Sequence, residues 1–241
     1  RKSRRGVAVA EQKEVDGDVA TTATELPDSP VEWPSDDDAD ADRPRQRAAA
    51  SVTSAHGREA VRTIEELSFL PSVFVFDLDD TLWQGDIDMT AGPPFKHEGR
   101  GKIVSKKGSG VALFRDVQEI FDWLQERGHR AAIASHTTTP KWAETALLLL
   151  RTSAGPSFAH VAGVKEMHGG SKAGHLRKIA ARVGCDPADM VFFDNAGYNI
   201  RDGEEARVTC SHTPRGLSWG KVAECCARYE RGALARAAGQ T

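Results

Sequence analysis

The sequence predicts an α/β fold in three layers, a parallel sheet with helices on both faces. Three observations carry this expectation: short apolar runs that end in polar, chemistry-bearing residues, helical stretches between them, and the confinement of both to one part of the chain. The 241 residues carry a formal net charge of −3. Residues 1–62 are rich in Ala, Asp, Glu, Arg, Ser, Thr and Pro, with an acidic run at 35–42 and a lone Trp33. Such a segment cannot bury enough apolar surface to offset its ordering entropy, so a disordered, acidic, low-complexity region is expected there. Residues 63–234 suit a single domain, and 235–241 a flexible tail.

Within that domain, the run 72–76 is apolar throughout and stops at carboxylates, the pattern of a buried parallel strand at its carboxyl end. Val111, Leu113, Phe114, Val117, Ile120, Phe121 and Leu124 recur at helical spacing, and Gly128 follows as a stop, so one amphipathic helix is expected across them. A second strand at 130–134 precedes a helix opened by Pro140 and running to residue 151. A third strand is expected at 158–164, a helix at 172–183, a fourth strand at 190–193 and a short helix at 200–206. The stretches 207–211 and 221–231 complete the alternation. The segment 83–110 is rich in Gly, Lys and Pro and suits a β-hairpin or flap; it leaves no room for a large cap domain.

In open parallel sheets, ligands bind beyond the carboxyl ends of the strands. The residues expected there are Asp77, Asp79 and Thr81 after the first strand, Ser135, His136 and Thr137 after the second, and Asp194 and Asn195 after the fourth. These side chains suit phosphoryl transfer. A phosphate ester is an anion, so a carboxylate attacks it only where a cation offsets the charge. Asp77 and Asp194 form the kind of hard-oxygen pair that binds Mg²⁺ and leaves it water and substrate positions. Ser135 and Lys172 supply phosphate donors. Asp77 and Asp79 together allow one carboxylate to attack and the other to move the proton.

The run FDLDDTLW, an apolar strand followed by D-x-D-x-T, resembles the first motif of haloacid dehalogenase (HAD) phosphatases. The likeness extends to the magnesium-dependent phosphatase-1 family of eukaryotes through Pro93-Pro94-Phe95, Ser135, Gly170-Ser171-Lys172 and the run MVFFD ending at Asp194. It implies a HAD-like (Rossmann-like) domain with Mg²⁺ as cofactor. It also implies Asp77 as nucleophile and metal ligand, Asp79 as general acid/base and backbone-carbonyl ligand, and Asp194 as the remaining protein ligand. Ser135 and Lys172 would hold the phosphoryl group, and Thr81 would steady the loop of the first motif.

Two positions depart from the family. Asn195 stands where a second acid is usual, which removes a negative charge and implies weaker Mg²⁺ binding. His136 stands where Arg is usual, and imidazole is a poorer phosphate clamp; it is read either as a phosphate-side group or as a loop residue without a role. These departures motivate a competing reading, a weak or inactive HAD-fold protein that binds phosphorylated partners or acts as a scaffold. A phosphotransferase would share every residue. An uncapped site suits a phosphorylated protein side chain, and the resemblance implies phosphotyrosine-type or sugar-phosphate substrates. Lys96, His97, Arg100, Lys102, Lys106 and Lys107 make the flap basic, as acidic phosphopeptides would favour, or as any solvated loop is.

Lys and Arg are interleaved with acids elsewhere, so no nucleic-acid partner is expected, and a monomer is the simplest assembly. No apolar run reaches the length of about 18 residues that spans a bilayer, so no membrane partner is expected. Cys185, Cys210, Cys225 and Cys226 lack C-x-x-C spacing and suit a reducing, cytoplasmic compartment. The first residue is Arg1, which leaves an organelle address open, although Glu11, Glu14, Asp16 and Asp18 argue against a transit peptide. The remaining histidines show no zinc spacing.

Overall fold

The structure, a computed structural model, describes residues 52–239. The acidic run and Trp33 lie outside these residues. Five parallel strands form the central sheet in the order β7-β6-β1-β8-β9: β7 (Ala162–Met167), β6 (Ala131–Ser135), β1 (Val73–Phe76), β8 (Met190–Asp194) and β9 (Thr209–His212). The central strand pairs Phe74 with Ala131 on one side and with Val191 on the other. All four residues of β1 are buried, with alternate side chains serving opposite layers. Phe74 and Phe76 join one apolar cluster, and Val73 and Val75 the other. A strand covered on both faces cannot show polar alternation, which is why this one reads as an unbroken apolar run.

The larger cluster takes in α1 (Ala55–Glu65), α2 (Val117–Arg127), α3 (Pro140–Leu149), α4 (Phe158–Val161) and α7 (Trp219–Ala238). The smaller one is closed by α5 (Lys172–Val183) and α6 (Gly197–Glu205). Glycines at Gly128 and Gly184 end α2 and α5 in the left-handed region, at φ 67° and 75°.

Four expectations are corrected. The boundary at residue 62 falls inside α1, and residues before it pack on the domain. Val52, Ala60, Val61 and Ile64 bury one stripe of this segment, and Ser54 caps the helix. At the other end α7 continues through residue 234 to Ala238. Val111 and Leu113 belong to a strand, β5 (Gly110–Leu113), and the helix starts only at Val117. The third strand begins later, at Ala162, because Ser157 accepts the His160 N–H at 3.2 Å and turns 158–161 into the short α4.

The segment after β1 is a four-stranded antiparallel sheet in the order β2-β5-β4-β3, where β2 is Trp83–Gln84, β3 Phe95–His97 and β4 Lys102–Ser105. It is the expected flap in fuller form, and among the described residues no large cap accompanies it. Among the described residues no helix is long and apolar enough to cross a membrane. The four cysteines are free, and burial pushes the Cys225 thiol up to about 12.

Candidate active site

Each central side chain sits where a parallel strand runs out. Asp77 follows β1, its N–H still donating to the Phe193 carbonyl of β8 at 3.0 Å, and Asp194 ends β8. Because β1 and β8 are neighbours, both carboxylates reach the same point, which Lys172 occupies from the first turn of α5. Its Nζ lies 2.6 Å from Asp77 Oδ1 and 3.4 Å from Asp194 Oδ2, and it also donates to the Ala134 carbonyl at the end of β6. Lys172 and Asp194 are fully buried and Asp77 nearly so. One ammonium faces two carboxylates, so the ionised trio retains a negative charge that a cation would neutralise. Burial is the largest influence on Asp77 and raises its pKa; the Lys172 ammonium opposes it, and the Asp194 charge adds to it.

Asp79 is half-buried. Its Oδ1 accepts the Trp83 indole N–H at 2.7 Å and the Ile87 backbone N–H at 2.9 Å, which leaves Oδ2 free. Burial pushes its carboxyl up to about 6, against the pull of these two donors and with help from the charges of Asp86 and Asp88. It therefore keeps a proton into the mildly acidic range.

Thr81 is buried, and its hydroxyl accepts the Asn195 N–H at 3.0 Å, joining the loops that follow β1 and β8. Asn195 also offers its carbonyl to His212 Nε2 at 2.8 Å. Asn199, from the first turn of α6, donates its amide to both oxygens of Asp194 at 3.1 and 2.9 Å, and the Ala196 N–H adds a bond of 2.8 Å. Asp202 accepts the Lys172 backbone N–H at 3.1 Å and so fixes the start of α5. Ser135 is buried at the end of β6, one residue beyond the carbonyl that Lys172 grips.

His136 is exposed, and its ring packs edge-on to that of His175 with centroids 5.1 Å apart. Burial of its ring atoms and then the Lys172 charge lower its pKa. His175 in turn lies 3.3 Å, nitrogen to nitrogen, from His168. Thus Asp77, Lys172 and Asp194 are in direct contact, Thr81 and Asn195 touch each other, and His136 joins a histidine stack. Among the described residues, no group of three or more His, Cys, Asp or Glu side chains could hold a metal ion by itself. The two buried carboxylates fit a hard cation that takes its other oxygens from backbone, water and substrate.

Asn199, Asp202 and Asp88 are not among the residues that the sequence motifs point to. For Asn199 a signal existed: a short polar residue at the third position of a helix that starts just past a strand-end acid can reach back to it. Trp83 is fully buried and also donates its indole N–H to Asp79.

A parallel sheet whose strand ends gather two carboxylates around one buried lysine, with only a small flap above, defines an uncapped protein of the HAD-like class. The sequence model of the acid phosphatase family matches residues 69–232, and the chain belongs to that family. It is 34% identical over 149 residues to magnesium-dependent phosphatase 1 of Homo sapiens, covering 62% of this chain and 81% of that one. A HAD-like hydrolase superfamily protein of Schizosaccharomyces pombe is also 34% identical, over 58% of this chain and 83% of its own length. Among solved structures, a HAD-superfamily hydrolase from Ehrlichia chaffeensis matches 67% of this chain and 98% of its own at 11% identity, with a TM-score of 0.47.

Proposed function

We propose that this chain is a Mg²⁺-dependent phosphomonoester hydrolase that works through an aspartyl-phosphate on Asp77. The observation that carries the proposal is the meeting of Asp77, Asp194 and Lys172 at adjacent strand ends, with the Asp79 carboxyl, raised to about 6, two residues away. Asp77 and Asp194 carboxylates and the Asp79 carbonyl would hold Mg²⁺, which when bound neutralises phosphate charge and aligns the reacting oxygens. Lys172 and Ser135 bind the phosphoryl oxygens, with His136 beside them. An Asp77 oxygen attacks phosphorus as the bond to the leaving oxygen breaks, and Asp79 Oδ2 gives that oxygen its proton. Oδ1 is held by its two N–H donors, so Oδ2 is the atom that carries and later recovers the proton. Asp79 then takes a proton from water, water attacks phosphorus, and inorganic phosphate leaves a free Asp77.

The open site suits a phosphorylated protein side chain of the tyrosine type or a sugar phosphate. The flap is less basic than its composition suggests, since Glu98 pairs with Lys96 at 3.0 Å and with Lys102 at 3.4 Å. A monomer in a reducing, cytoplasmic setting completes the proposal, in keeping with the buried thiols.

Asp77→Asn should lower Mg²⁺-dependent hydrolysis of p-nitrophenyl phosphate by at least about a thousandfold, the scale on which enzymes lose a nucleophile. Undiminished turnover would remove Asp77 from its role. Beryllofluoride with Mg²⁺ should form an adduct on Asp77 in the wild type; its absence would favour a phospho-binding scaffold.

A further inference from the structure

We propose that Asp88 is a positioning residue that couples the proton-transfer group Asp79 to the phosphate-binding loop. This rests on the reading of Asp79 as general acid. The 3₁₀ turn Ile87–Met89 in the flap grips both partners with consecutive residues. The Ile87 N–H holds Asp79 Oδ1 at 2.9 Å. The Asp88 carboxylate accepts Thr137 Oγ1 at 2.6 Å, the Thr138 N–H and Oγ1 each at 2.7 Å, the Thr139 N–H at 3.2 Å and the Thr139 hydroxyl. Those threonines directly follow Ser135 and His136, and Thr139 is the cap of α3.

Asp79 stands beyond β1 and Ser135 ends β6, and the two strands are neighbours, so a two-residue bridge spans the gap where a phosphate ester would lie. The turn is itself fixed, by the buried Ile87 side chain and by the Asp86 carboxylate, which accepts the Asp88 N–H at 2.8 Å. Farther along, the flap docks on α3 a second time. Gly92, at φ 75°, faces the Trp142 ring so closely that a Cβ would come within 2.6 Å of it, and Phe95 meets the same ring edge-on at 6.2 Å.

A carboxylate has about four lone-pair positions. Five donors saturate that of Asp88, so it has no oxygen to spare for a cation and its work is mechanical. With it in place, Asp79 Oδ2 is held at a set distance from a phosphate bound by Ser135 and Lys172. Without it, the Ile87 donor and the threonine loop move independently, and the proton is delivered to the wrong place.

Phenyl phosphate and p-nitrophenyl phosphate test this, because they differ little in shape but the plain phenolate is far the more basic leaving group and needs the proton more. Asp88→Ala should lower kcat for both, and by about tenfold more for phenyl phosphate, a partial loss of the roughly hundredfold or more that positioned acid catalysis contributes. Half-maximal Mg²⁺ should stay near the wild-type value. Equal losses on the two esters would overturn the proposal, because a general structural defect does not sense leaving-group basicity. Asp79→Asn is measured alongside: a bias there but not in Asp88→Ala overturns the strap alone, whereas no bias in either removes Asp79 as the acid and the strap with it. If Asp88→Ala melts below the assay temperature, Asp88→Asn keeps the shape while turning one acceptor into a donor, and the same comparison of esters decides.

Discussion

At the residue scale, Asp194 is held less by the residue beside it than by one on the next turn. Asn195 stands where a second acid is usual, yet it works through its backbone, with its N–H on Thr81 and its carbonyl on His212. The chain then turns into α6, and Asn199 comes back with its amide across both carboxylate oxygens. Its own Oδ1 is buried without a partner in the structure, a cost that an amide placed only for packing would not need to bear. Replacing it with Leu keeps the bulk and removes the donor. Asn199→Leu should raise the Mg²⁺ concentration for half-maximal activity by about tenfold, as loss of an outer partner of a metal ligand commonly does. Mg²⁺ titration of turnover, set beside direct Mg²⁺ binding by calorimetry, checks this; unchanged binding with a lower Tm would reduce Asn199 to a packing role. The carboxylates and lysine themselves were legible because strand-end position fixes them in one dimension. Asn199, Asp202 and Asp88 act through turns whose direction only the folded chain sets.

At the element scale, legibility follows burial. The strands β1, β6 and β8 are covered on both faces and therefore read as uninterrupted apolar runs, and α5, expected at 172–183, spans those residues between a Ser171 cap and a Gly184 stop. The failures lie where short elements borrow their stability from neighbours. Val111 and Leu113 fit both a helical and an alternating pattern, and the flap pairing with β4 settles them as strand, with Gly110 pressed to the Ile103 carbonyl where a Cβ would stand at 2.0 Å. The α1 segment has only Ala, Val and Ile to bury, and lies outside the residues matched by the family, 69–232. Its docking depends on the Glu119 carboxylate, which accepts the hydroxyls of Thr53 and Ser54 at 2.9 and 2.7 Å and the Trp219 indole at 3.2 Å. Composition cannot foresee that tether. Gly57 sits beneath it, and a Cβ there would come within 2.7 Å of Trp219 Nε1 and 2.6 Å of Val52. Gly57→Ala should therefore destabilise the protein by about 1–3 kcal/mol, the usual range for overpacking, despite alanine's better helix propensity. The urea midpoint checks it; a gain in stability would mean that α1 is not packed tightly on α7.

At the scale of the whole molecule, buried and half-buried groups that resist their ordinary charge state tie stability to pH, and they pull in opposite directions. Burial, aided by the Arg127 charge, lowers His129 to about 4, and its ring lies against Trp123 and Phe74 at 4.5 and 5.4 Å. Burial and the neighbouring His168, Lys172 and His136 charges likewise lower His175 to about 4. An unfolded histidine takes up its proton near 6.5. Between about 6.5 and 4 the unfolded chain therefore binds protons that the folded chain refuses, and stability falls as pH falls through that window. Asp79 has the opposite sign: its folded carboxyl, raised to about 6, holds a proton that the unfolded one releases down to about 4, so without metal it adds stability as pH falls. The wild-type profile sums these trends and conceals each. His129→Phe keeps an aromatic ring against Trp123 and removes one titration. In EDTA, its Tm relative to wild type should rise steadily from pH 7 to pH 4.5. A constant difference across that range would mean that His129 takes its proton in the folded state as readily as in the unfolded one.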